Sequence, residues 1–300
     1  MPRTKIPAPG RMAGHNFYDL QTAPFPTTGN IYFVDSGAAS GGNGLSPEGA
    51  KTTIDAAINL CTASNGDVIY VMEGHAESIV GAAGIALDVA GVTIKGLGRG
   101  RNRPVISFTT DVAASFDISA ANCHVEDLVL VNGIDAQTAM VNVSAAGVTI
   151  KDCEFQTGDA TTQTVLGILT TAGASRLRVL GCHMHGLVTA GTTSQISIVG
   201  GDSLVIQGCL LVGACATTGN ISAATTASLN GLIDSCVIQN QTADANNKAI
   251  VLGAGDTYVI SNCRMAVIDS TGPAPVTAAA AFVSANYWTG AVGVTASTLM

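Results

Sequence analysis

Seven copies of one short phrase recur along the chain, and this repeat constrains the fold more than any other feature of the sequence. Five copies end in a cysteine, and these cysteines are separated by 29, 27, 27 and 27 residues. They are Cys153, Cys182, Cys209, Cys236 and Cys263. Two earlier copies end in leucine, at Leu97 and Leu128. A period this short indicates coils stacked on one another rather than separate domains.

Within each copy, apolar and polar residues alternate as they do in a β-strand. The alternation slips by one residue just before the cysteine or leucine, so the chain must bend there. The bend residues are of types that tolerate a left-handed conformation. They are Gly96, Asp127, Asp152, Gly181, Gly208, Ser235 and Asn262. Two strands joined by a sharp bend, followed by a third strand, predict an all-β parallel β-helix solenoid of seven or more coils.

The repeated cysteines are expected to form a column inside this solenoid. A free cysteine is among the most buried residue types and packs as a small apolar side chain. A dry interior also raises the pKa of a thiol and lowers its reactivity. The sequence contains no C-x-x-C pair of the zinc-finger type. We therefore predict a structural cysteine ladder, with no metal and no cofactor.

The composition favours the same architecture and excludes several function classes. Only 11% of the residues are charged and 47% are apolar, with a formal net charge of −8. Disordered chains combine low hydrophobicity with high charge, and nucleic-acid-binding surfaces need clustered Lys and Arg. The apolar stretches are too short or too interrupted for a membrane span. We therefore expect neither a nucleic acid nor a membrane as a partner.

The segment ahead of the repeats resembles the opening coil of right-handed parallel β-helix proteins of the pectate-lyase-like superfold. It contains the strand Ile31–Asp35, the loop GGNGLSPE at 41–48, a short amphipathic helix and the phrase NGDVIYVMEG at 65–74. The likeness covers about residues 31–78, and the repeats extend it to about residue 285. The resemblance implies the fold but says little about activity, because one superfold hosts many functions.

The resemblance and the repeat together divide the chain into three parts. Residues 1–30 are proline-rich and aperiodic, which predicts an extended arm that is either dispensable or docked on a neighbouring subunit. Residues 31–285 form the β-helix, whose helix at about 53–61 caps the open end and protects the strand edges. Residues 286–300 form a C-terminal tail or cap.

The resemblance also implies a chemistry to look for. Pectate lyases hold calcium on a carboxylate cluster and use an Arg or Lys as the base. Here the outward acids Glu126, Glu154 and Asp234 fall on different coils or columns, and no Asp-Asp pair or Gly-His-Gly phrase occurs. We therefore predict no catalytic residues and a protein that is not an enzyme.

Two other groups were weighed as binding sites. His183 and His185 flank the inward Met184 and should both point outward. With no carboxylate or third histidine on the adjacent coils, an exposed structural role is favoured over a metal site. The loop containing Arg99, Arg101 and Arg103 is either an ordinary solvated turn or a partner-binding loop for a phosphate or an acidic partner.

The outward positions of the later coils are unusually apolar, and this predicts an interface. Large exposed apolar surfaces usually mark a contact. The residues concerned are Val205, Leu210, Leu232, Val237 and Val259. Either neighbouring copies around a three-fold axis or the C-terminal segment Ala278–Met300 would cover them, and we favour a homotrimer.

These features resemble those of non-enzymatic β-helix proteins in bacteriophage virions. The sequence shows no apolar signal-peptide core near Pro7, Pro9 and Arg11, which predicts synthesis in the host cytoplasm. We therefore expect a virion structural protein of a tailed bacteriophage, favouring head decoration over a tail spike, with the major capsid protein as a partner. The alternative is a tailspike or a pectate-lyase-like enzyme that binds or cleaves polysaccharide.

Overall fold

The computed structural model describes residues 27–158, 161–186, 192–215, 219–223, 226–242, 248–267, 276–277, 282–284 and 286–289. Within these ranges the chain forms one α-helix, one 3₁₀ turn and 27 short strands in three parallel sheets. Each strand pairs with strands of the preceding and following coils, so the sheets form the walls of a prism. The predicted parallel β-helix of seven or more coils is confirmed.

Sheet 1 contains the strands that precede the sharp bend. They are β1 (Ile31–Val34), β2 (Val68–Val71), β5 (Thr93–Gly96), β8 (His124–Glu126), β11 (Thr149–Lys151), β14 (Arg178–Leu180), β17 (Val205–Gln207), β20 (Gly231–Asp234), β23 (Tyr258–Ser261) and β26 (Phe282–Ser284).

Sheet 2 contains the strands that follow the bend. They are β3 (Ala76–Ile79), β6 (Val105–Phe108), β9 (Val129–Asn132), β12 (Glu154–Gln156), β15 (His183–His185), β18 (Leu210–Gly213), β21 (Val237–Asn240), β24 (Arg264–Val267) and β27 (Tyr287–Thr289). The last of these, β27, extends sheet 2 into the segment that the sequence assigned to the tail.

Sheet 3 closes the prism. Its strands are β4 (Ile85–Leu87), β7 (Phe116–Ile118), β10 (Gln137–Val143), β13 (Thr164–Thr170), β16 (Ser194–Ser197), β19 (Ile221–Ala223), β22 (Ile250–Leu252) and β25 (Val276–Thr277). The inward side chains of the three sheets form a continuous apolar core that contains Phe108, Phe116 and Phe155.

A single residue in the left-handed conformation turns the chain from sheet 1 to sheet 2, as the repeat predicts. The φ angle is 62° at Asp127, 50° at Asp152 and 54° at Asn262. The earliest copy departs from this pattern, because Gly96 still belongs to β5 and the positive φ falls at Gly98. A longer connection with a 3₁₀ turn at Gly100–Asn102 replaces the one-residue bend there.

The helix α1 (Ile54–Ile58) closes the N-terminal end of the prism and is shorter than the predicted span of about 53–61. Thr53 is its N-cap, since the hydroxyl accepts a hydrogen bond from the backbone N–H of Ala56 at 3.3 Å. Asp55 accepts a hydrogen bond from the N–H of Ala86 in β4 at 3.1 Å, which attaches the helix to the edge of sheet 3. Among the described residues, no helix is long and apolar enough to span a membrane.

A buried His–Glu pair joins the cap to the first coil. The N–H of Ser36 donates to Nδ1 of His75 at 2.9 Å, so the ring proton sits on Nε2, which lies 3.1 Å from Glu77. The Glu77 carboxylate also accepts the N–H of Ile54 at 3.0 Å, at the start of α1. Both side chains are therefore explained by capping of the solenoid.

Candidate functional site

The five repeat cysteines form a buried column at the corner between sheets 1 and 2. Their thiols are free. Each thiol points to a backbone carbonyl of the preceding coil, as in Cys209 Sγ to Val179 O at 3.5 Å and Cys236 Sγ to Ile206 O at 3.7 Å. Burial raises the pKa of Cys153 to about 12. This column therefore fills the core and holds adjacent coils together.

A buried carboxylate lies on the outer face of sheet 1. The Glu126 side chain is only 2% exposed because His124 and two lysines surround it. Nε2 of His124 lies 2.8 Å from one carboxylate oxygen, Lys95 is bonded to the other, and Lys151 Nζ lies 3.8 Å away. The hydrogen bond from His124 and the two lysines outweigh the effect of burial and lower the pKa of Glu126 to about 2. The ionised carboxylate of Glu126 therefore links side chains of three successive coils.

A second carboxylate lies on the outer face of sheet 2 and has an arginine partner. Nη1 of Arg103 lies 3.2 Å from one oxygen of Glu154, and Nη2 of Arg103 donates to the carbonyl oxygens of Leu128 and Asp152 at 3.2 and 2.7 Å. The long connection before β6 is thereby fixed to two later coils. The loop of Arg99, Arg101 and Arg103 stays a predicted partner-binding loop, and within it the guanidinium of Arg103 is bonded to later coils of the chain. Arg99 and Arg101 are exposed.

The two outward histidines of β15 lie next to this carboxylate. Their ring centroids are 5.1 Å apart, and Nε2 of His185 is 3.1 Å from Oε1 of Glu154. The expectation that no carboxylate accompanies the pair is therefore wrong. The parallel register, which places Glu154 directly beside His183, is the signal that could have revealed it. Burial, and then the neighbouring His185, lower the pKa of His183.

The third outward acid is also engaged within the chain. Asp234 accepts hydrogen bonds from Gln207 Nε2 at 3.0 Å, from Ser261 Oγ at 2.8 Å and from Asn262 Nδ2 at 2.9 Å. The bonds from Asn262 and Ser261 are the main reason that the pKa of this carboxyl lies well below its usual range. Glu126, Glu154 and Asp234 thus lie in three separate clusters, and no group of three or more His, Cys, Asp or Glu able to hold a metal is found in the described part of the chain.

The apolar residues predicted to form one interface lie on two walls. Val205, Leu232 and Val259 follow one another along the outside of sheet 1. Leu210 and Val237 do the same along sheet 2. Between the two strips runs the polar row of Gln207, Asp234 and Ser261, so the surface is not contiguous. Val237 and Val259 are the most exposed members, at 42% and 41%.

Most of the predicted arm and tail lies outside the described residues, namely 1–26 and 290–300. Where the arm becomes described, Asn30 donates its N–H to Asp67 at 2.6 Å, at the start of β2. Asp67 is fully buried and also accepts the N–H of Thr62 at 2.6 Å. The phrase at 65–74 therefore fixes the point where residue 30 joins the prism.

Comparison with known proteins supports the architecture. No family model matches the chain, and no curated protein matches it. The solved structure of pectate lyase Pel9A superposes with a TM-score of 0.60 at 14% identity, over 87% of this chain and 80% of that chain. The fold is that of the right-handed parallel β-helix.

Two further solved structures overlap this β-helix more loosely. A pectin methylesterase in complex with a hexasaccharide gives a TM-score of 0.48 at 16% identity, over 90% of this chain and 92% of that chain. A rhamnogalacturonan lyase gives 0.42 at 9% identity, over 86% and 87%. At 14% identity, the likeness to pectate lyase Pel9A establishes the fold of this chain and not its activity.

Proposed function

We propose that this β-helix is a non-enzymatic virion structural protein of a tailed bacteriophage, and specifically a head decoration protein. The observation that carries the proposal is the pair of apolar strips on the later coils. Exposed aliphatic side chains forgo burial worth about 1.5–3 kcal/mol each. A soluble chain with few charges gains from covering them in an assembly.

The state of the outward carboxylates supports a role without catalysis. A general acid or base needs access to a substrate and a pKa near the working pH. Glu126 is buried beside His124 and two lysines with a pKa of about 2, and Asp234 is held by several hydrogen-bond donors. Glu154 is bonded to Arg103, His185 and Gln156. Each of these groups stabilises the solenoid.

In this proposal the partners are other copies of the chain and the capsid. The strips on sheets 1 and 2 pack against neighbouring copies in a homotrimer, because closed symmetric assemblies bury such surfaces without leaving free ends. The arm 1–30 contacts another virion protein such as the major capsid protein. The mature location is the virion, after synthesis in the host cytoplasm.

The proposal is tested by the mass of the purified chain and by its location in particles. Light scattering should give three times the chain mass of 30.1 kDa. Antibodies raised against the chain should decorate heads, and not tails, in immunogold micrographs of phage that encode it. A monomer in solution together with unlabelled heads would contradict the proposal.

A polysaccharide-active protein is the second candidate. The pectate lyase of the same fold and the half-exposed Glu154 beside Arg103 and two histidines favour it. Release of unsaturated or reducing ends from pectate or alginate, lost on Glu154→Gln or Asp234→Asn, would establish this function. Intact polymer after prolonged incubation would leave the structural role.

A further inference from the structure

The two outward histidines of β15 form a side-chain pair that the structural role does not use. Residues separated by two positions on a strand point to the same face, and both rings lie outside sheet 2. Their centroids are 5.1 Å apart with the ring planes inclined by 47°. His183 is exposed, and the side chain of His185 is 41% exposed, so solvent reaches both rings.

The two histidine rings differ in their hydrogen-bond partners. His185 Nε2 is 3.1 Å from Glu154 Oε1, and the same oxygen accepts a hydrogen bond from Gln156 Nε2 at 3.0 Å. Glu154 is also held by Arg103 from its other oxygen. The His183 ring, in contrast, makes no hydrogen bond to any residue in the described part of the chain.

We propose that His183 and His185 chelate a divalent transition metal such as Ni²⁺, Cu²⁺ or Zn²⁺, with Glu154 as the adjacent carboxylate. Neutral imidazole nitrogens suit these metals, whereas Ca²⁺ and Mg²⁺ require oxygen ligands. A carboxylate bonded to the second nitrogen of a ligating histidine fixes its tautomer and strengthens it as a ligand.

The chain supplies two imidazole ligands at this site, which do not complete the coordination shell of a metal ion. No group of three ligands is already gathered in the described residues. The Glu154 oxygens are bonded to Gln156, His185 and Arg103. The remaining coordination positions are filled by water or by a ligand from another molecule. The proposal is independent of the virion role, since it needs only the outer face of sheet 2.

Acid should release the metal, because protons compete for the imidazole nitrogens. The charged groups that face the pair are Glu154 and, behind it, Arg103 on the β12 side. On the other side, β18 presents the uncharged Leu210 and Val212.

Calorimetric titration of the untagged chain with NiCl₂ at pH 7.5 tests the proposal. We expect one site per chain, weaker at pH 5.5, and no heat with CaCl₂. His183→Gln and His185→Gln should each weaken Ni²⁺ binding by at least about tenfold, which is the loss expected when even a supporting group is removed. His124→Gln, at a histidine of sheet 1, is the matched control and should bind as the unmodified chain does.

Circular dichroism spectra identical to that of the unmodified chain ensure that lost binding is not lost folding. Paramagnetic Ni²⁺ should also broaden the ring-proton signals of two of the five histidines before the others. Two results would overturn the site. One is the absence of Ni²⁺ binding at millimolar metal, and the other is unchanged binding in the double variant His183→Gln with His185→Gln.

Discussion

The coils from β8 to β16 and those from β17 to β24 have the same interior but different exteriors. Both regions carry the cysteine column and the aliphatic inward row. On the outside, the earlier coils carry Glu126 and Glu154 with their cationic partners, whereas the later coils carry two aliphatic strips. The interior is fixed by stacking and repeats in every coil. The exterior is free of that constraint, and its residues differ between the two regions.

The largest expected effect concerns the aliphatic strips. Leu232→Asp combined with Val237→Asp should convert the proposed trimer into a folded monomer, a threefold loss of mass in light scattering, because charges would be buried unpaired in the contact. Thr149→Asp, at the same position of an earlier coil of sheet 1, should leave the mass unchanged. An unchanged mass would show that the aliphatic strips do not form the contact between copies. An unfolded chain would indicate that Ala278–Met300 covers the strips.

The interior should respond equally in both regions. Cys209→Phe and Cys153→Phe each overfill a tightly packed coil and should lower the free energy of unfolding by about 1–3 kcal/mol. Urea denaturation followed by circular dichroism measures this change. Leu180→Phe, at the equivalent outward position of the preceding coil, places the same ring on the outside and should change stability by less than about 0.5 kcal/mol. A similar loss in all three variants would mean that the column is not the tightly packed element.

The charged exterior should make the earlier coils acid-sensitive. The pKa of Glu126 is lowered in the folded chain to about 2. Its stabilisation is therefore present above the unfolded value of about 4.5 and is lost as pH falls toward 2. We expect a contribution of about 1–2 kcal/mol once solvent screening of the exposed lysines is allowed for.

Glu126→Gln tests this contribution. The variant should be less stable at pH 7 and should lose the corresponding part of the acid transition in urea titrations at stepped pH. Asp88→Asn, at an exposed turn, is the control. If the variant kept the acid transition of the unmodified chain, another carboxyl would be responsible.

The smallest effect is expected at the half-exposed carboxylate. Glu154→Gln should cost only about 0.2–1 kcal/mol, because ion pairs open to solvent contribute little. Its more sensitive readout is faster amide exchange at residues 99–103, since Arg103 would lose its charged partner. A loss of stability as large as that of Glu126→Gln would show that the greater exposure of Glu154 does not make its ion pair weaker than that of Glu126.

The interior could be predicted because equivalent residues in every copy of the repeat occupy the same position in their coils. The phrase ending at Cys153 predicts the bend at Asp152 and the inward Ile150, and the structure has both. The predicted one-residue bend at Gly96 is wrong, because a longer connection replaces it. Glycine is compatible with both connections, so the sequence does not distinguish them. The sequence also predicts a longer helix than α1, because the apolar face continues to Cys61 through two tighter turns, with N–H groups of Leu60 and Cys61 bonded three residues back.

The clusters on the outside were harder to predict, because they depend on which coils become neighbours and on long side chains from loops. Arg103 reaches Glu154 across 51 positions of sequence. A pair of buried amides, Asn220 and Gln195, is joined at 2.9 Å between sheet 3 and the loop before β19. The phrase that ends at each cysteine does not include these two residues, so the repeat gives no sign of their contact.

The direction of the bonds between coils has a mechanical consequence. In a parallel sheet these bonds run across the strands, and in this prism that direction is its long axis. Tension along the axis would therefore break the hydrogen bonds between one pair of adjacent coils at a time. A force applied across the axis is instead carried by the covalent backbone of every coil. The end sealed by α1 resists peeling, so a molecule pulled from its other end would yield gradually from that end and release force in small steps.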